Sequence, residues 1–157
     1  MTRAGAIRNV DIKLTLTGKQ LEDLVKLVSL GNWVINSWRG EERLEEFDEV
    51  ESLVLAAGEA EGLAAFAERG EKSRGPCPSV ALEEATQPYL DYYDDNVFWD
   101  QLIYRLADRD YVRRYGEDAE ADLETEPGRR KEAPLVAKYE KEFDAFGLDR
   151  LEIRRDH

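Results

Sequence analysis

From Val10 to Leu16 the chain alternates between apolar positions (Val10, Ile12, Leu14, Leu16) and polar ones (Asp11, Lys13, Thr15). This period of two is the pattern of a half-buried strand. Thr17-Gly18-Lys19-Gln20 follows directly and predicts a capping box that opens a helix. The helix should cover residues 18–38. Leu21, Leu24, Val25 and Val28 mark one face, and Leu27, Leu30, Trp33, Val34, Ile35 and Trp38 widen it. A helix apolar over so much of its circumference is expected to be the central, buried one. Gly31 lies inside it, where glycine costs about 1 kcal/mol relative to alanine, and close approach of a neighbouring helix is the expected compensation.

A second helix is predicted from Glu41 to Ala57, burying Leu44, Phe47, Val50 and Val54, and a short third one from Glu59 to Glu68 with Leu63 and Phe66 inward. Residues 69–79 are rich in turn formers and predict an exposed loop. Helical character resumes at Val80, with Pro88 expected to break or kink it near Gln87. Asp94 or Asp95 is the expected cap of the next helix, with Val97, Phe98, Leu102, Ile103 and Leu106 buried. A break near Asp108 leads into Tyr111, Val112 and Tyr115 and ends at Gly116. Residues 117–131 read as an acidic connector closed by Pro127-Gly128. The last helix is expected from Glu132, with Gly147 as its terminator, and Leu148 to Ile153 reads as a final strand. An isolated strand has no backbone partner, so residues 10–16 are expected to pair with 149–153. The predicted fold is mostly α, at the margin of α+β: about five to six helices around a buried central helix, with a small terminal β-ribbon. Residues 1–157 are read as a single domain, with 1–9 and 154–157 as flexible ends.

Composition narrows the function classes. The chain has 157 residues, 42% of them hydrophobic, enough for a real core. Charged residues make up 36%, and 35 acids against 22 bases give a net charge of -13. A surface this negative repels phosphate backbones and favours basic proteins or divalent cations. No apolar run reaches the ~18 residues of a membrane span, and Met1 to Arg8 lacks the apolar run of a signal peptide. A cytoplasmic protein is expected, binding neither nucleic acid nor membrane.

Catalytic groups are sparse. The only histidine is the last residue, His157, so a serine or cysteine nucleophile has no evident base. The one cysteine, Cys77, lies between Pro76 and Pro78, with nothing nearby in sequence to lower its pKa strongly. No phosphate-binding glycine loop is present. Carboxylates are the remaining candidates. Glu41, Glu42, Glu45 and Glu49 recur at helical spacing, and Asp91 and Asp94 belong to a second cluster. Two such faces meeting would offer oxygen ligands to Mg²⁺ or Mn²⁺. The bland alternative is a solvated face, since 41–61 holds nine acids and one base. Arg105, Arg109 and Arg113 form a stripe that either docks an acidic group or neutralises the protein's own acids. Tyr92, Tyr93 and Trp99, interleaved with carboxylates, suit a binding groove as well as a core margin.

Two resemblances follow from these residues. Glu41-Glu42-x-x-Glu45 with Asp91-x-x-Asp94 is similar to the acidic motif of all-helical nucleotide pyrophosphatases of the MazG kind, which place the second pair much sooner after the first. Leu30 to Arg39, Asp94 to Ala107 and Gly147 to Ile153 together resemble a group of small acidic bacterial proteins with no assigned activity. That resemblance implies a bacterial cytosolic protein and no particular chemistry.

The reading therefore leans away from an enzyme. It expects an interaction or accessory protein with a protein partner or a second copy of itself, and with no cofactor. One alternative is a Mg²⁺- or Mn²⁺-dependent nucleotide hydrolase using the clustered carboxylates. Another is an acidic mimic of nucleic acid.

Overall fold

The computed structural model describes residues 11–70 and 75–152. Expectations for residues 1–9, Val10, Ile153 and 154–157, His157 included, lie outside them. The chain groups into two compact units, Met1–Leu90 and Asp91–His157. The described residues are mostly helical, with four α-helices, two 3-10 turns and one two-stranded antiparallel sheet.

In the first unit, α1 spans Gly18–Asn36 and α2 spans Glu45–Ala60. The capping box is formed as the sequence predicts: Thr17 Oγ1 accepts from the Gln20 amide at 3.3 Å, and Gln20 Oε1 accepts from the Thr17 amide at 2.9 Å. A 3-10 turn at Ala64–Phe66 leads into β1, Ala67–Glu68, which pairs with β2, Cys77–Pro78, in the register Ala67↔Pro78 and Glu68↔Cys77. The core is Val25, Leu55 and Leu82, with Val54, Leu63, Phe66 and Ala67 against it. Burying each of the three large side chains contributes about 1.5–3 kcal/mol. Gly58 lets α2 approach α1 here, because a Cβ would lie 3.3 Å from Val25 Cγ2. Gly31, expected to play that part, faces open space instead.

Helix α3 runs unbroken from Val80 to Tyr115, through Pro88 and Asp108 where breaks are expected. Proline at 88 removes one hydrogen bond, to the Glu84 carbonyl, and costs about 3 kcal/mol in a helix interior. Burial of Leu82 and Thr86 before that point, and of Leu90, Ile103, Ala107 and Tyr111 after it, offsets the cost. The expected acidic connector is helical as well: Glu117–Glu124 is a 3-10 turn, and α4 spans Glu126–Phe146. Thr125 Oγ1 accepts from the Gly128 amide at 3.1 Å, and Pro127 stands in the first turn, where its missing N–H costs nothing. So Pro127-Gly128 starts a helix. Gly147 ends it with φ 54°, as expected.

Further expectations are corrected: 59–68 is the end of α2, a 3-10 turn and β1 rather than a third helix, and Phe47, Val50 and Phe98, expected inward, are exposed. Residues 11–16 form neither strand nor helix and make no backbone hydrogen bond to another described residue, while 149–152 are turn and irregular chain. The terminal ribbon is therefore not formed by the described residues, and the sheet is the 67–68/77–78 pair. Alternation favours a strand, yet only a partner edge makes one. The described residues hold four α-helices rather than five to six, because α3 and α4 absorb segments expected to be separate. Finally, α1 is not a buried central helix and ends at Asn36, short of the expected 38: Leu27, Trp33 and Val34 on it are exposed.

Candidate functional site

The inner face of α1 carries Val25, Ser29, Asn32 and Asn36, all buried, at spacings of four, three and four. Three of these four are polar. Opposite them α2 presents Asp48, Glu51, Leu55 and Gly58. The α1–α2 contact is thus apolar near Val25 and Leu55 and polar near Asn32 and Glu51.

The polar part is a closed network. Asn36 accepts from the Leu44 amide at 2.9 Å and donates to the Leu44 carbonyl at 3.1 Å. It serves the start of α2, whose N-cap Leu44 has no side chain able to cap. Asn36 Nδ2 also donates to Asn32 Oδ1 at 2.8 Å, which orients the Asn32 amide. Asn32 Nδ2 then donates to Asp48 Oδ1 at 2.8 Å and to Glu51 Oε2 at 2.7 Å. Both protons of each amide are in use. Arg43 grips Asp48 as a fork, Nε to Oδ2 and one terminal nitrogen to Oδ1, both at 2.7 Å.

The two carboxylates respond in opposite directions. The Arg43 hydrogen bond lowers the Asp48 pKa, with help from Asn32 and against partial burial. Burial pushes Glu51 up, against hydrogen bonds from Asn32 and Ser29, and the Asp48 charge adds to the rise. Glu51 is only 7% exposed.

Glu51 and Arg43 are walls of two cavities. One, of about 400 Å³, is lined also by Ser29, Leu30, Trp33, Ser37, Glu83, Thr86, Gln87 and Leu90. The other, of about 920 Å³, is lined by Glu41, Glu45, Asp48, Glu49 and residues 75–78. The cavities join the expected glutamates to residues not singled out from the sequence. Glu42 is exposed and outside both linings. Asp91 and Asp94 belong to the second unit. Among the described residues no group of three or more His, Cys, Asp or Glu is arranged to hold a metal ion.

In the second unit, Tyr92 and Tyr93 are exposed. Trp99 is half-buried, its ring 5.0 Å from Phe98 and 5.6 Å from Phe143 on α4. Arg105 is exposed. Arg109 and Arg113 surround Asp110, at 2.9 and 3.8 Å. Tyr139 donates to Asp110 at 2.5 Å and accepts from Arg109 at 3.1 Å, and Lys138 lies 3.4 Å from the same carboxylate. Burial pushes the Asp110 pKa up, but the Tyr139, Arg109 and Lys138 hydrogen bonds outweigh it and hold the group at about 2. Two of the three stripe arginines thus face an acid of their own helix.

Sequence reasoning missed Asn32, Asn36 and Glu51. The signal was present: Ser29, Asn32 and Asn36 are polar positions sharing one helical face inside an apolar run.

No family model, no curated protein and no solved structure matches this chain. No helix among the described residues is long and apolar enough to cross a membrane.

Proposed function

We propose that this chain is a non-enzymatic interaction protein whose partner, a basic protein, seats on the outward face of α1. One observation carries the reading: α1 buries Ser29, Asn32 and Asn36, while its Leu27, Trp33 and Val34 stand 47–65% exposed, and Trp38, just past its end, 70%. Leu27 and Val34, seven residues apart, share one stripe opposite the buried one, and Trp38 follows just beyond the helix end. Apolar surface gathered along a stripe marks an interaction site, whereas single exposed apolar residues are commonplace. The net charge of -13 supports a basic partner through steering and through exclusion of acidic competitors.

The test is native mass spectrometry of the untagged protein purified gently from its host, beside the double variant Leu27→Asp/Val34→Asp. The expected result is a stoichiometric complex with a basic protein for the natural chain and none for the variant, with equal melting temperatures. A complex that survives the double substitution, or a natural chain that carries no other protein, would overturn the reading.

A further inference from the structure

We infer that the 400 Å³ cavity of the first unit is a binding site for a small organic cation bearing a guanidinium or ammonium group. Its volume is within the range of small-molecule sites and far above the ~30 Å³ of one water. Its wall combines two carboxylates, Glu51 and Glu83, with the indole of Trp33 and the side-chain amide of Gln87. Arg43 is the one cationic residue in the lining, and its fork is occupied by Asp48 at 2.7 Å on both arms. The Arg43 charge is thereby balanced from outside the cavity, which leaves the Glu51 and Glu83 charges facing the space. An anion would meet both. A divalent metal would need more oxygen ligands than the described acids bring together. A neutral apolar molecule would strip water from the carboxylates without replacing its hydrogen bonds.

A guanidinium or ammonium group answers each feature. Its N–H donors meet the Glu51 carboxylate, which is 7% exposed and already held in place by Asn32 at 2.7 Å. That carboxylate is pre-oriented, so binding loses little side-chain freedom. Trp33 in the same lining supplies an aromatic ring beside the cation, and Leu30 and Leu90 supply apolar surface for an aliphatic stem. Leu27, Val34 and Trp38 do not line the cavity, so this site and the α1 face are probed by different residues.

The probe is agmatine, with n-butanol and butyrate as uncharged and anionic comparators, followed through the Trp33 indole N–H resonance of the full chain. The expected result is a saturable shift with agmatine and none with the comparators. Glu51→Gln should weaken agmatine about ten- to hundredfold, the scale of one hydrogen bond to a charged group. Glu83→Gln, at an exposed position, should weaken it about threefold without touching the fold. Should Glu51→Gln not fold, Glu83→Gln decides alone. No saturable shift with agmatine, an equal shift with butyrate, or an affinity unmoved by Glu83→Gln and by a folded Glu51→Gln would overturn the inference.

Discussion

Each unit holds a carboxylate in a polar network, and the two networks solve the same problem differently. Glu51 is surrounded by neutral donors, Asn32 and Ser29, in a site almost closed to water. Asp110 is surrounded by Arg109, Lys138 and Tyr139 near the surface. Neutral donors satisfy the geometry of a buried carboxylate without cancelling its desolvation cost, so the Glu51 pKa rises. Cationic and phenolic donors overcome that cost at Asp110, and the pKa falls to about 2. An acid kept available for a ligand is better served by the first arrangement, because its bonded donors are neutral and the nearby Arg43 is taken up by Asp48. The second arrangement is a closed structural joint between α3 and α4.

The largest effect expected from this contrast is on removal of a donor. Asn32→Ala strips Asp48 and Glu51 of a shared donor in a buried site and removes one of the two acceptors of the Asn36 amide. A loss of about 3 kcal/mol is expected in urea unfolding. Tyr139→Phe removes one donor from Asp110, which keeps Arg109 and Lys138, and should cost about 1 kcal/mol. Equal losses for the two would erase the distinction.

The pH dependence sharpens it, because the signs differ. The folded pKa of Glu51 lies above 4.5, so folding favours its protonated form. Its contribution is fully present below pH 4.5 and is lost as pH rises through the raised value. The folded pKa of Asp110 falls from 3.8 to about 2, so its contribution is present above 3.8 and is lost as pH falls through about 2. Melting temperatures of Glu51→Gln relative to the natural chain should therefore climb from pH 4.5 towards neutrality. Those of Asp110→Asn should converge on the natural chain only below pH 3.8. Parallel profiles for the two variants would contradict the assignment.

What the sequence reveals of this molecule depends on how local the determining physics is. The Thr17 cap, the Gly147 terminator and the inward packing of Leu63 and Phe66 were legible because each rests on a few neighbouring residues. The pairing of residues 10–16 was not, because alternation describes a strand but cannot supply its partner. Proline misled twice: Pro88 lies within a continuous helix instead of breaking it, and Pro127, expected to close a connector, stands in the first turn of α4. The orientation of α1 was hidden by its own composition. With apolar residues on nearly every side, what faces inward is decided by α2, whose Asp48 and Glu51 require donors and receive them from Asn32. The carboxylates that enter the network are 48 and 51, while the helical spacing of 41, 45 and 49 drew attention to the rim of the neighbouring cavity.

The smallest expected effect is the most direct test of that orientation, on which the proposed partner surface rests. Leu27→Asp places a charge at a position 65% exposed on the outward stripe of α1. Thermal and urea unfolding of this single variant should shift by no more than about 0.5 kcal/mol, as for an ordinary surface substitution. A loss of several kcal/mol would put Leu27 in a core and return α1 to the buried central helix that its apolar composition suggests.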